Sequence, residues 1–238
     1  MTGTQPYFSG EVHDAAAAHD VGPEYVTAVG KVVTSHVRNE LAGAAAFDEP
    51  AIALAPGPKE KWLACRIAME EYGHHLRFQR LATELGLGDA AEGRALSVFD
   101  YGLSSWPEFV ALKALVDMAE VVLMEELLAT SYLPLRALVE RLLPEERFHV
   151  SFGRAHTKDL AADPAARPLI QQAVDDLVAF TAPFFGRSRS ANNEAFLRWG
   201  VKQRTNDEAR AEWAGRCRRF VEEEVGLRFP EVDLRWDG

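Results

Sequence analysis

The sequence predicts an all-α fold, a four-helix bundle with additional C-terminal helices. Apolar residues recur at three- and four-residue intervals over several long segments, the spacing of one helix face. Strict apolar–polar alternation of the kind that marks a half-buried strand is nearly absent. Gly and Pro gather between the periodic segments and so punctuate them. A length of 238 residues suits one core, and the whole chain, 1–238, is expected to form a single domain. Residues up to about 22 are expected to be partly loose.

Pro23 stands where a first helical turn tolerates a missing N–H. Residues 25–47 follow with the stripe Val26, Val29, Val33, Val37 and Ala44. The segment 49–58 carries three prolines and reads as a connection. A second helix is expected over 59–85, with Ala64, Ile67, Phe78 and Leu81 inward, stopping near Gly86 and Gly88. Residues 89–107 read as irregular. A third helix over 107–129 carries Val110, Ala114, Val121 and Met124, and a fourth over 132–160 carries Leu135, Leu138 and Leu142. Two further helical segments, 165–185 and 207–226, flank a polar break at 186–193.

A formal net charge of −10 argues against a nucleic-acid binder, which needs excess Lys and Arg to neutralise phosphates. No apolar run approaches bilayer length, so no membrane partner is expected. The two cysteines, Cys65 and Cys217, are too few for a disulfide framework and are expected to be structural. The opening MTGTQPYFSG lacks a basic start and an apolar run, which leaves a cytoplasmic location as the expectation.

Continuing each stripe reveals polar residues where a core should be apolar. The first stripe runs from Val37 to Glu40 before Ala44, and the second from Ile67 to Glu71 and His74 before Phe78. The third passes from Ala114 through Asp117 to Val121, and the fourth from Leu142 to Glu146 and His149. All the intervals are three or four residues, so these groups face inward. Four buried carboxylates would each cost several kcal/mol without compensation. Two divalent cations and two neutral imidazoles would neutralise them. A carboxylate from each of two helices and Glu-x-x-His from two others is the recurrent ligand set of carboxylate-bridged dimetal bundles. One Glu-x-x-His is weak evidence, but two on separate long helices make a strong signal. Glu120, one turn beyond Asp117, is the alternative ligand from the third helix. Such oxygen-rich ligation suits iron, with manganese as the alternative, better than copper or zinc.

These residues also carry a resemblance. The stretches 36–43 (HVRNELAG), 71–74 (EYGH), 97–101 (SVFDY) with Trp106, 115–117 (LVD), Ser131-Tyr132, 145–149 (EERFH) and 204–208 (RTNDE) occur in that order. They resemble the catalytic subunits of the phenylacetyl-CoA epoxidase family, ferritin-like di-iron oxygenases of phenylacetate degradation. The similarity spans about residues 33–235. It implies a ferritin-like bundle with Glu40, Glu71, His74, Asp117, Glu146 and His149 at the six metal-ligand positions, holding two iron ions. Two features depart from that pattern. Pro144, two residues before Glu146, is expected to bend its helix, and Tyr72 and His75 put bulkier or titratable groups beside the first motif.

The resemblance implies a monooxygenase that inserts one atom of dioxygen into an aromatic or unsaturated small molecule, with a CoA thioester as the family substrate. The alternatives are hydroxylation, N-oxygenation or desaturation of a natural-product intermediate, and an iron-storage or peroxide-protection protein. The chain shows no flavin or nicotinamide fingerprint, so electrons are expected from an external reductase. The family adds a homologous scaffold subunit, for which a homodimer is the alternative. Glu70 and Glu145 lie about 100° round from the stripes and are expected on solvated faces. His36 is expected to line the cavity or to pack in the core, and His75 to lie beside the site or at the surface. Arg66 and Arg147 are candidate partners of the carboxylates. Tyr132 and Trp106 are expected in the core, and the basic loop 187–189 in solvent.

Overall fold

The computed structural model describes residues 8–237. The first helix, α1 (Ala15–Val21), is short and capped by Asp14, whose side chain accepts from the Ala17 N–H at 2.8 Å. Ahead of it the buried Val12 donates to the Ser131 carbonyl and accepts from the Leu133 N–H. Residues 8–22 are thus tied down by backbone bonds rather than loose, and residues 1–7 lie outside the described residues.

Helix α2 (Pro23–Gly43) begins with its proline in the first turn, as the sequence indicated. It does not end cleanly. The backbone continues through a π-helical turn, Ala44–Asp48, into the short α3 (Glu49–Leu54). The expected connection over 49–58 is therefore half helical, because Pro50 falls in the first turn, where a proline costs little. Helix α4 (Pro58–Glu84) follows, and Gly86, at φ 73°, takes the left-handed conformation just past its end.

Helix α5 (Trp106–Leu127) opens with a capping box between Ser105 and Glu108. Helix α6 (Leu133–Ala162) runs unbroken through Pro144. Three shorter helices close the chain: α7 (Arg167–Thr181), α8 (Ala191–Arg198) and α9 (Asn206–Arg219), the last running into a π-helical turn at Phe220–Val225. Within the expected break and the residues after it, α8 is an addition. The RTNDE stretch proves to be the N-terminus of α9, where Thr205 and Glu208 form a capping box. No helix is long and apolar enough among the described residues to cross a membrane.

The architecture is an all-α ferritin-like bundle of α2, α4, α5 and α6, with α7 and α9 packed on the outer side of α5. Helix α5 meets α6 on one side and α7 and α9 on the other, so nearly every residue along it is buried. Apolar residues all round are what such a central helix requires. The four stripes face one another, and Val33, Val37, Ile67, Phe78, Ala114, Val121, Leu135 and Leu142 belong to one continuous core. Trp106 and Tyr132 are buried in it, whereas Cys65 is exposed and only Cys217 is internal.

The α5–α6 crossing is close at Gly153. A Cβ there would lie 2.4 Å from the Ala114 nitrogen and 2.6 Å from the Lys113 carbonyl carbon, both backbone atoms that cannot step aside alone. Gly153→Ala is therefore expected to force the two helices apart and to destabilise the fold by about 1–3 kcal/mol. The thermal midpoint should fall by about 2–4 °C per kcal/mol for a chain of this size, and calorimetry would check it.

Candidate metal centre

Glu40 comes from α2, Glu71 and His74 from α4, Asp117 from α5, and Glu146 and His149 from α6. All six are buried, and each histidine has no exposed surface. They form two overlapping foci. Ligand atoms of Glu40, Glu71, His74 and Glu146 lie within 4.8 Å of one another, and so do those of Glu71, Asp117, Glu146 and His149. Glu71 and Glu146 belong to both foci, while Glu40 and Asp117 each belong to one. The two imidazole centroids are 6.0 Å apart.

The histidines show which nitrogen faces the interior. His74 Nδ1 lies 2.8 Å from Glu146 Oε1, and His149 Nδ1 lies 3.1 Å from Glu71 Oε1. Neither Nδ1 has a hydrogen-bond partner of acceptable geometry, and the same holds for Asp117 Oδ2 and Glu146 Oε1. Buried polar atoms are rarely left unpaired. Four of them converging on one dry volume fit cations that would take up their lone pairs.

The outer nitrogens are held crosswise. His74 Nε2 donates to Glu145 at 2.8 Å, and His149 Nε2 donates to Glu70 at 2.9 Å. Each motif thus supplies the carboxylate that holds the other motif's histidine. This corrects the expectation of solvated faces for Glu70 and Glu145. The 100° offset carries each away from its own stripe but toward the neighbouring helix of the α4–α6 pair. A carboxylate on the outer N–H fixes the tautomer, leaves Nδ1 as the lone-pair nitrogen and raises its basicity. Arg66 in turn donates to Glu70 at 2.8 Å. Arg147 is elsewhere, on the partly exposed Glu125.

Two buried residues escaped the sequence reading. The Lys113 ammonium, on α5 one turn before Asp117, lies 2.7 Å from Asp48, 3.1 Å from Glu71 and 3.1 Å from Asp117. Asp48 closes the π-helical turn after α2 and is almost wholly buried. Eight residues of regular helix would rotate it about 80° from Glu40. The looser i→i+5 winding rotates less per residue and brings it back toward the same face. Lys113 was detectable as a lone cation in the apolar run ALKALVD, whereas Asp48 had no signal because its phase depends on the π turn.

Burial pushes Glu40 and Asp117 well above the usual carboxylate range, and it raises Asp48 to about 6 against the pull of Lys113. Burial also opposes ionisation of Glu71, but Lys113 and the two imidazoles outweigh it and hold Glu71 well below its ordinary value. For His149, burial favours the neutral ring, yet contacts with Glu146, Glu70 and Glu71 raise its pKa well above normal. The cluster draws positive charge from every available source. Divalent ions would supply that charge and displace the imidazole protons.

Above the foci lies a cavity of about 40 Å³ bordered by Phe47, Phe99, Leu112, Val116 and Phe184. Glu120 also reaches it, but on the Glu40 side, 3.1 Å from His36. Asp117 and Glu120 therefore do not compete for one position. His36 is buried and stacked on Phe78, and His75 bonds the Val37 carbonyl.

Residues 12–238 match the protein family described as "Phenylacetic acid catabolic protein". The chain belongs to that family. A similar protein, one of the subunits of 1,2-phenylacetyl-CoA epoxidase from Escherichia coli (strain K12), is 29% identical over 203 residues. The match covers 78% of this chain and 63% of that relative, so this member of the phenylacetic acid catabolic family spans less than two thirds of its relative's length.

Lys113→Met would leave Asp48, Glu71 and Asp117 facing one another without their internal cation. Breaking a buried pair in this way is expected to cost about 3–5 kcal/mol. Urea unfolding of chelator-treated protein should show that loss, and Lys113→Met with Asp48→Asn should recover much of it.

Proposed function

We propose that the chain is a non-haem di-iron monooxygenase that transfers one atom of dioxygen to an aromatic or unsaturated substrate, a CoA thioester of the phenylacetyl type being the first candidate. The observation that carries this reading is the pair of overlapping foci, in which two unpartnered imidazole nitrogens face four shared or terminal carboxylates in a dry interior. Family membership and the resemblance to an epoxidase subunit support the substrate class.

A reduced iron pair, when bound, supplies the electrons and the affinity for dioxygen that no side chain has. The chain supplies everything around it. Glu40, Glu71, His74, Asp117, Glu146 and His149 would hold it, with Glu71 and Glu146 common to both foci. Glu145 and Glu70 hold the imidazoles so that Nδ1 stays directed inward. Phe47, Phe99, Leu112, Val116 and Phe184 keep bulk water from the centre. The cavity they border, about 40 Å³, holds a molecule the size of dioxygen or a few waters. An aromatic ring would enter only as those side chains turn aside. Electrons come from an external reductase, and a homologous subunit or a second copy completes the assembly.

His149→Ala and Glu146→Ala are expected to lose iron from at least one position and to abolish oxygen-dependent product formation. Iron analysis, with turnover of phenylacetyl-CoA in the presence of a reductase, checks both. Full iron and full turnover in either variant would overturn the ligand assignment. Iron oxidation without an organic product would instead favour storage. Glu145→Gln should keep the fold but weaken metal binding by about 10–100-fold, the usual effect of losing a carboxylate behind a histidine ligand; a metal titration would read it.

A further inference from the structure

A third group of potential ligands lies beside the two foci and shares only Glu40 with them. Nδ1 of His36, a carboxylate oxygen of Glu40 and one of Glu120 lie within 4.8 Å of one another. His36 is 6% exposed and its ring is stacked on Phe78, with centroids 4.5 Å apart and planes 14° from parallel, so its direction is set by packing. Its Nδ1 points at Glu120 Oε1, 3.1 Å away, and at Glu40 Oε1, 3.9 Å away. All three atoms are buried, and none has a hydrogen-bond partner of acceptable geometry. Among the described residues, Glu120 forms no ion pair with Lys or Arg.

Glu40 divides its two oxygens between two neighbourhoods. Oε2 faces His74, at 3.7 Å, and Oε1 faces His36. Position in the fold adds a second argument. A surface cavity of about 350 Å³, lined by residues including Lys31, Ser35, His36, Glu120 and Lys202, reaches this cluster from outside. The inner cavity above the foci reaches it from within, and the two cavities share Asn39, Glu120 and Phe184. The cluster therefore stands at the neck between solvent and the centre.

We propose that His36, Glu40 and Glu120 form a third divalent-cation site, through which ions pass on their way to the inner pair. One imidazole with two carboxylates suits a first-row ion such as Fe2+ or Mn2+. The occupancy of this site does not depend on the di-iron reading, but its role in delivery rests on that reading.

The test is crystallography of the full chain soaked in Mn2+, with anomalous difference maps, alongside the rate of Mn2+ uptake in solution. The expected result is a peak against His36 and Glu120 in addition to two peaks between His74 and His149. His36→Gln and Glu120→Gln should each remove the third peak, keep the inner two and slow their filling by about tenfold or more, the scale of losing a ligand-side contact. Two inner peaks without a third in the unmodified chain would overturn the third site and leave the di-iron reading intact. A third peak without the inner two would support the site and sink the di-iron reading. Retention of the third peak in both variants, or inner sites that fill at the original rate in both, would overturn the assignment or the delivery role respectively. The map of the unmodified chain decides occupancy even if a variant fails to fold.

Discussion

The structure turns on the gathering of carboxylates inside a bundle. Glu40, Glu71, Asp117 and Glu146, with Asp48 beside them, are withdrawn from bulk water in an interior built from valine, leucine and phenylalanine. Desolvating each ionised group costs several kcal/mol, and mutual repulsion adds to that cost. The chain answers part of it with Lys113 and with two imidazoles whose outer N–H groups are engaged by Glu70 and Glu145. Glu40 and Glu146, which pair with no Lys or Arg among the described residues, fit the centre to take cations.

That requirement explains features of the scaffold that would otherwise be incidental. Helix α5 carries both Lys113 and Asp117, so its distance from α6 has to be kept small, and Gly153 lets the backbones approach. The helices α7 and α9 cover the far side of α5 and keep it dry. Within that shell, Trp213 donates to the Leu115 carbonyl at 2.8 Å, a bond across elements beside the helix turn that carries Asp117. The fully buried Arg210 ties the start of α9 to the carbonyls of Ala182, Gly186 and Leu234. Rigid surroundings of this kind keep the converging side chains at their separations.

The bundle and the six convergent residues were legible because a 3.6-residue period is a property of one helix and can be read along one strand of text. What could not be read was relational. Glu70 and Glu145 lie off their own stripes, and only the neighbouring helix gives them a partner. Lys113 stands out as a lone cation in an apolar run, but only the fold gives it Asp48, Glu71 and Asp117 as partners. Pro50 looked like a breaker because sequence alone does not distinguish the first turn of a helix from a loop. His36 and Glu120 were each noticed but not joined, since they approach each other from α2 and α5.

The π-helical turn at Ala44–Asp48 leaves the chain sensitive to length at one point. Its wider winding accommodates the phase of one surplus residue, and that surplus is what swings Asp48 back beneath Glu40. Removing a single amino acid there would let the coil tighten to the ordinary pitch and turn the aspartate aside. The backbone on either side could remain helical while the ammonium of Lys113 lost the nearest of its three anions. At this point the tally of residues, as much as their chemistry, belongs to the design of the centre.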